Sequence, residues 1–484
     1  MGGSGSGAAH VRCIASIDVA SIAAQVRRVT IHPITYRCAL GLLFASAACA
    51  TPATPAPTPV PVPAPPRVRI PPDAERAAAR GDSARARAHA QFDTALARAQ
   101  SEGAFSRARL DSIRAANRSV ARTRRPLVRP SARTDTLTVR TLSVPVRVCS
   151  GGDVTLGTNL DTAWARRAEL RMRTEYGRDG QPSTLLAPLR SLVSSADIIL
   201  LNIESAIGAG PTATKCGRRS TNCYAFRSPP SAARALRALS PERTIVGNVA
   251  NNHARDAGTR GLDSTVAALR RAGVLVTGFD TIATPVPTPA GDTIGMLGFY
   301  TSVETPDARD TAAVFRHVAR AFERYPVVIA TMHLGAEGAA AQRTVDMSER
   351  FLGIDRGNPV AFADAAVRGG AALVVGHGPH VLRAMEWRDR GALIAYSLGN
   401  LLTYGPFTNT DPLNRGAVLC ATFDRSGRVV SADLASTIQR APGVLESDRA
   451  ARAAALMDSL ARLDFPLTGA RVDPSGVLAP RTPR

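Results

Sequence analysis

From about Val144 onward, short apolar runs alternate with stretches of helical periodicity, and this alternation constrains the fold more than any other feature of the chain. The apolar runs predict buried strands at 197–201, 244–250, 274–277, 294–299, 326–331, 371–375, 393–396 and 417–422. Helical patterns lie at 184–194, 230–239, 259–272, 311–325 and 359–368. Strands that alternate with helices indicate an α/β domain with parallel pairing, buried on both faces. Functional residues are then expected in the loops at strand ends.

Short polar clusters follow several of these runs, where strands would end. They are Gly152-Asp153, Asn202-Ile203-Glu204, Asn251-Asn252-His253, His333, and His377 with His380. Carboxylates, an asparagine amide oxygen and imidazoles are the ligand mixture of a two-metal hydrolase. Because imidazole favours softer cations than Mg²⁺, we expect two divalent metal ions, either Mn²⁺, Zn²⁺ or Fe.

Two positions within these clusters suggest particular roles. Glu204 ends a run with a single polar member, so its carboxylate must be paired or metal-bound, and a bridging position between two cations would suit it. His253 could protonate a leaving group. It could equally be a loop histidine held by hydrogen bonds. The two asparagines before it could form a turn or a helix cap, with which Asp256 and Gly258 nearby are compatible.

These clusters, together with Glu337 and the segment Tyr396-Ser-Leu-Gly-Asn400, resemble the ordered motifs of the CapA (PgsA-like) capsule-synthesis family over residues 144–425. That family is associated with poly-γ-glutamate capsule production and is similar to calcineurin-like metallophosphoesterases. The resemblance implies an α-β-β-α sandwich with a two-metal site. It implies one metal on Asp153 and His380, the other on Asn252, His333 and His377, Glu204 as the bridge, and His253 as the acid.

Other residues match the family motifs without an assigned step. They are Asn202, Asn251, Glu337, Tyr396 and Asn400. The segment that begins at Tyr396 could simply end a strand. Two features depart from the wider superfamily: Thr155 stands where a histidine is usual, and the last two histidines are three residues apart rather than two. The first metal site would then be weaker or hold a single ion.

The N-terminal 49 residues predict export. Arg37 precedes the apolar stretch 38–48, which is too short to span a bilayer but fits the hydrophobic region of a signal peptide. Ser46-Ala-Ala-Cys49 resembles a lipobox, so we expect a lipid on Cys49 and anchoring in the bacterial envelope membrane. Ordinary secretory cleavage near Ala48 is the alternative.

Composition divides the rest of the chain. Residues 50–72 predict a proline-rich linker. Residues 73–140 predict an Ala/Arg-rich arm that is marginally helical or disordered. This arm is either simply solvated or contacts anionic lipid or an envelope polymer. The metallophosphoesterase-like domain is expected at 144–440 and a peripheral helix with a loose tail at 441–484.

The net charge is +21, yet Lys215 is the only lysine among 60 basic residues. Because this arginine excess is a bias of the whole chain, nucleic acid is not expected as a partner.

The cysteines give two further expectations. Cys216 and Cys223 lie close together in a polar loop and could form a disulfide in an exported protein; a metal-binding pair is the alternative. Cys149 and Cys420 lie in apolar runs and are expected to be buried thiols.

Two functions remain open from the sequence. The first is a di-metal hydrolase that acts on a phosphoester or, less readily, an amide. The second is a non-catalytic accessory protein that binds an anionic capsule polymer during its assembly or export, alongside capsule-synthesis membrane proteins.

Overall fold

The computed structural model describes residues 140–157, 162–208, 224–302, 306–388, 391–405 and 410–481. The predicted export signal with Cys49, the linker, nearly all of the arm and the pair Cys216 and Cys223 lie outside these residues and stay predictions. Within the described ranges, none of the helices combines the length and the apolar character needed to cross a membrane.

The strands are β1 (Val146–Thr155), β2 (Ile198–Ile203), β3 (Ala206–Ile207), β4 (Arg227–Ser228), β5 (Thr244–Asn248), β6 (Leu275–Thr277), β7 (Thr284–Pro287), β8 (Thr293–Tyr300), β9 (Val328–His333), β10 (Arg350–Phe351), β11 (Ile354–Asp355), β12 (Leu373–His377), β13 (Met385–Arg388), β14 (Ala392–Ala395), β15 (Asn400–Thr403), β16 (Arg415–Phe423), β17 (Val429–Arg440), β18 (Val444–Ser447), β19 (Arg471–Val472) and β20 (Val477–Ala479). The helices are α1 (Thr162–Tyr176), α2 (Pro182–Leu186), α3 (Leu189–Leu192), α4 (Ser231–Arg237), α5 (Gly258–Arg271), α6 (Thr311–Phe322), α7 (Pro359–Arg368) and α8 (Arg452–Asp464).

Most of these strands form two large sheets. The first has the order β19-β20-β17-β16-β1-β2-β5-β6, with β15 beside the end of β1 and β18 beside β17. The second has the order β13-β14-β12-β9-β8-β7. Strands β1, β2, β5 and β6 run parallel to one another, as do β8, β9, β12 and β14. The predicted α/β class with parallel pairing is therefore confirmed.

Side-chain alternation along the strands explains how the layers pack. Along β2, Ile198 and Leu200 point into a core that they share with Ile329 of the second sheet, whereas Ile199 and Leu201 pack against α4 and α5. The second sheet packs its opposite face against α6 and α7. Because successive residues of a strand face opposite sides, both sheets are buried on both faces, and the layers run helix, sheet, sheet, helix.

Strand β1 changes partner just before its carboxyl end. It pairs antiparallel with β16 from Val146 to Gly151, and from Asp153 it pairs parallel with β15. The switch brings two backbones close together: a Cβ at Gly152 would lie 2.1 Å from the carbonyl oxygen of Gly399. Only glycine allows the two backbones to come this close. The close approach lets the backbone amide of Asp153 donate a hydrogen bond to the Gly399 carbonyl at 3.0 Å.

The expectation that Cys149 and Cys420 are buried thiols is wrong. They form a disulfide between β1 and β16. The two residues lie directly opposite each other in the antiparallel ladder, where side chains on the same face meet. A sequence separation of 271 residues hides this pairing from any local pattern.

The structure also differs from the prediction of a loose C-terminal tail. Through residue 481 the segment extends the first sheet, since β18 and β20 both pair with β17. Helix α8 buries Ala453 and Met457 in the core between the sheets and Leu460 in the outer core of the second sheet. The predicted helix at 184–194 is instead the two short helices α2 and α3, because Pro188 lacks the N–H that would continue the hydrogen bonds of the first helix.

Candidate metal centre

The carboxyl ends of strands from both sheets meet at one edge of the molecule, and polar side chains gather there. Asp153, Glu204 and His333 are buried, and one potential ligand atom of each lies within 4.8 Å of the others. Glu204 directly follows β2 and is held by its backbone amide, which donates to Val154 O at 2.9 Å. His333 ends β9 and pairs in register with His377, which ends β12. The sheets thus bring together residues far apart in sequence.

A chain of asparagine amides fixes Asp153. Asn202 donates from Nδ2 to Oδ1 of Asp153 at 2.8 Å. Its own Oδ1 accepts hydrogen bonds from Asn248 at 2.9 Å and Asn251 at 3.1 Å. Asn251 also donates to Ile203 O at 3.0 Å. Such outer contacts orient potential ligands before any cation binds. The sequence did not single out Asn248, because a lone asparagine inside an apolar run carries no signal of its own.

His380 faces both carboxylates from the turn after β12. Its Nδ1 lies 3.1 Å from Asp153 Oδ2 and 3.0 Å from Asn400 Oδ1, and its Nε2 lies 3.8 Å from Glu204 Oε1. Asn400 donates back to the His380 carbonyl at 3.2 Å. The backbone φ of His380 is +60°, a value that is uncommon outside glycine and concentrates at functional sites. The strained turn aims this imidazole into the cluster.

His377 and Asn252 complete the set of predicted ligands. The Nε2 of His377 donates to Gly151 O at 3.1 Å, which makes Nδ1 the unprotonated nitrogen of this buried ring. Asn252 is half-buried in the loop after β5, with its Oδ1 buried.

Four of the six predicted ligands bury an atom that has no hydrogen-bond partner among the described residues, and Asp153 turns its buried Oδ2 to His380 Nδ1 at 3.1 Å. The four atoms are Glu204 Oε1, Asn252 Oδ1, His333 Nε2 and His377 Nδ1. Buried polar atoms are almost always satisfied, so such a concentration needs an explanation. A bound cation would satisfy carboxylate, amide and imidazole acceptors alike. The residues present therefore fit a divalent metal ion.

The buried acids and imidazoles of the cluster shift one another's pKa values. Burial raises the pKa of Glu204 well above its usual value, and the charge of Asp153 adds to the effect. Burial also opposes ionisation of Asp153, but the hydrogen bond and charge of His380 hold its pKa below the usual value. Burial lowers the pKa of His380 as well, yet the carboxylates of Glu204 and Asp153 outweigh it and raise that pKa to about 10. Burial lowers the pKa of His333 and His377, so both are neutral imidazoles, the form that binds metal.

His253 is held beside this cluster as a rigid group. Its Nδ1 lies 2.6 Å from Oδ2 of Asp256, and its backbone N–H donates to Oδ1 of Asn251 at 3.1 Å. Its ring packs on Phe226 with centroids 4.4 Å apart. A carboxylate on Nδ1 leaves Nε2 as the nitrogen that can exchange a proton. Asp256 is therefore the partner of this histidine, a role that the spacing of three residues could have revealed.

Two residues singled out in the sequence do not join the cluster. Tyr396 lies in the outer core, where its hydroxyl donates to Glu386 Oε2 at 2.6 Å and its ring stacks on Phe465. Thr155, which stands where the superfamily has a histidine, donates from its hydroxyl to Glu204 O at 3.2 Å. It supports the backbone of Glu204 instead of offering an imidazole.

A family model described as "Bacterial capsule synthesis protein PGA_cap" matches residues 147–404, 258 residues of a chain of 484. The chain belongs to this capsule synthesis family. The matched range runs from β1 through β15 and contains every residue of the metal cluster, whereas the strands from β16 onward lie outside it.

Two relatives of this chain come from strains CDC 1551 and H37Rv of Mycobacterium tuberculosis. Each is named "Probable polyglutamine synthesis accessory protein" and is 28% identical over 303 residues, which cover 53% of this chain and 74% of the relative. Among solved structures, the NAD nucleotidase of Haemophilus influenzae aligns with a TM-score of 0.31 and 12% identity, covering 66% of this chain and 56% of that one. A superposition at that level does not define a shared fold.

Proposed function

We propose that this protein is a metal-dependent hydrolase with the four-layer metallophosphoesterase arrangement, acting on a phosphoester. The observation that carries the proposal is the cluster of Asp153, Glu204 and His333, whose buried ligand atoms lie within 4.8 Å of one another at the ends of strands from two sheets. Two divalent ions bound there would supply Lewis acidity toward a phosphoryl oxygen and an activated water.

The residues divide into binding and proton-transfer roles. Asp153 and His380 would hold one ion, and Asn252, His333 and His377 the other, with Glu204 between them. His253 would protonate the leaving-group oxygen from Nε2, since Asp256 occupies its Nδ1. Asp256 acts as a positioning residue that fixes the ring.

The proposed setting is the cell envelope. We infer export, a lipid anchor on Cys49, and an anionic polymer or a precursor of it as the partner, with capsule-synthesis membrane proteins nearby. The Cys149–Cys420 disulfide supports export, because disulfides persist in oxidising compartments. The names of the mycobacterial relatives support a place in polymer synthesis.

A second function deserves a test because those relatives are named as accessory proteins. In that role the protein binds an anionic capsule polymer through its arginines and catalyses nothing. Salt-sensitive binding of poly-glutamate that survives loss of His333 would favour it.

The decisive experiment measures the metal content of the full chain by mass spectrometry after loading with Mn²⁺ or Zn²⁺. Wild type should retain metal and His333→Ala should lose it. His317→Ala is the matched control, since His317 is a half-buried histidine on α6 outside the cluster, and it should bind metal as wild type does. A wild type without metal would rule out the hydrolase.

A screen of phosphoesters then separates the two functions. His253→Gln should keep its metal and lose activity by roughly 100-fold or more. Metal binding without turnover of any ester would point to the accessory role.

A further inference from the structure

The long loop between β9 and α7, residues 334–358, carries an arginine to the edge of the metal cluster. Arg356 is only 4% exposed. Its backbone is fixed on both sides, since its N–H donates to Glu349 O at 2.8 Å and its carbonyl accepts from Gly335 at 2.9 Å. The loop is tied down by a buried ion pair between Glu349 and Arg383 at 2.7 Å. Arg356 is thus held by a rigid frame.

The guanidinium of Arg356 is only partly satisfied. Its Nη1 forms an ion pair with Oε1 of Glu337 at 2.8 Å, but Nε and Nη2 are buried without a hydrogen-bond partner in the part of the chain that the structure describes. Arg383, buried in the same region, bonds through all three of its nitrogens. Unpaired hydrogen-bond donors on a buried cation cost free energy. Because Arg383 has partners for all three nitrogens and Arg356 does not, Arg356 is a candidate for binding a ligand.

The two unpaired nitrogens form one edge of the guanidinium. Nε–H and the neighbouring Nη2–H point the same way, and this pair matches two oxygens of a phosphate or carboxylate group. Glu337 binds Nη1 and fixes the plane of the guanidinium, while the Nε and Nη2 edge has no hydrogen-bond partner among the described residues. The geometry is therefore suited to a bidentate oxyanion.

The same guanidinium borders the metal cluster and its entrance. Its charge acts on the pKa of Glu204, His333 and Tyr300, and the Tyr300 ring packs edge-on against His333 with centroids 5.6 Å apart. The second oxygen of Glu337 lies 3.8 Å from Nε2 of His380. The Glu337 and His380 side chains are 15% and 21% exposed, so solvent reaches the cluster on this side.

We propose that Arg356 binds two oxygens of the substrate's phosphoryl group through Nε and Nη2, with Glu337 holding the guanidinium in place. The proposal rests on the phosphoester function proposed for the cluster and adds a residue that determines which ligands it accepts. Arg356 is a binding residue for the anion and does not hold metal.

The test measures the affinity of the full chain for inorganic phosphate by calorimetry, with and without bound Mn²⁺. Arg356→Met removes the guanidinium at similar length and should weaken phosphate binding about 10- to 100-fold, with the metal content unchanged. Arg171→Met is the control, because Arg171 pairs with Glu175 on the exposed face of α1, and it should bind phosphate as wild type does.

Arg356→Lys guards against a variant that fails to fold. Lysine keeps the positive charge beside Glu337 but lacks the two-nitrogen edge, so phosphate binding should still weaken, by less than in Arg356→Met. If esters are hydrolysed, Arg356→Met should raise KM for an aryl phosphate more than it lowers kcat.

The possible outcomes distinguish failure of the Arg356 proposal from failure of the proposed phosphoester hydrolase. Phosphate binding that depends on Arg356, in a protein that hydrolyses no ester, supports the anion site and rejects the hydrolase. A folded Arg356→Lys or Arg356→Met variant with wild-type phosphate affinity overturns the proposal, even if esters are hydrolysed. Ordered water would then be the partner of Nε and Nη2 of Arg356. Absence of phosphate binding by wild type overturns it as well.

Discussion

Asn202 donates a 2.8 Å hydrogen bond to Oδ1 of Asp153, and the other carboxylate oxygen of Asp153 lies 3.1 Å from His380. One neutral amide in β2 therefore sets the direction in which a strand-end carboxylate of β1 faces. Because the Oδ1 of Asn202 is in turn bonded by Asn248 and Asn251, the amide cannot rotate without breaking three hydrogen bonds.

Replacement of Asn202 by leucine should weaken metal binding although Asn202 is not among the proposed ligands. The variant Asn202→Leu keeps the volume of the side chain but removes the donor to Asp153, and loss of such an orienting partner lowers metal affinity by about 10- to 100-fold. A chelator competition titration with Mn²⁺ or Zn²⁺ measures the change. Wild-type affinity in a folded Asn202→Leu would show that the network does not orient Asp153.

The close approach at Gly152 gives a second prediction. Gly152→Ala would place a methyl group 2.1 Å from the carbonyl of Gly399, and a backbone atom in a sheet cannot move aside. We expect a loss of at least about 2–3 kcal/mol in the free energy of unfolding, measured by urea denaturation, together with reduced metal content because Asp153 is displaced.

Gly177→Ala is the control for Gly152→Ala. Gly177 has a φ of +60°, and a Cβ added there would meet no atom of the described residues within 4 Å. Alanine at this position should therefore lower the free energy of unfolding only by the strain of the left-handed conformation, about 1–2 kcal/mol. Equal losses in the two variants would mean that the contact with Gly399 is not tight.

Much of the fold follows from local patterns in the sequence. Helix α7 spans the same residues as its prediction, Pro359–Arg368, because Asn358 caps it by accepting from Val360 and Ala361 and proline occupies its first turn. Helix α1 is not predicted: it is rich in arginine and buries little besides Ala168 and Met172, so its sequence lacks a clear apolar face.

The cluster could be predicted because its residue types are unusual at strand ends, whereas its supporting groups could not. Histidines are rare in this chain, so His333 and His377 stand out. Arg356 is one arginine among dozens, and only the fold shows that it is buried with open donors. The partners Cys149 and Cys420 are joined by strand pairing across 271 residues, which no local pattern records.

The disulfide gives a third prediction. Cys149→Ala combined with Cys420→Ala should lower the free energy of unfolding by about 2–5 kcal/mol, because the unfolded chain gains freedom when the long loop is opened. Urea denaturation with and without a reductant measures this. The reductant should destabilise wild type far more than the double variant, in which only a bond between Cys216 and Cys223 could still be reduced. A wild type that is insensitive to the reductant would indicate that Cys149 and Cys420 are not joined.

The ion pair between Arg383 and Glu349 gives the last prediction. Arg383 is fully buried and binds both carboxylate oxygens of Glu349 at 2.7 Å. Arg383→Met leaves Glu349 with little solvent and no cation, which should cost about 3–5 kcal/mol of unfolding free energy. Arg171→Met, which removes an exposed pair with Glu175, should cost less than about 1 kcal/mol.

The double variant Arg383→Met with Glu349→Met separates two causes of that loss. If most of it comes from an uncompensated buried charge, removal of both partners should recover a large part of the stability. Recovery should not be complete, because Arg383 also donates to Ala341 O and Ala336 O and Glu349 accepts from the Ala336 amide. A double variant less stable than Arg383→Met alone would mean that these backbone contacts, which hold the loop carrying Arg356, outweigh the charge.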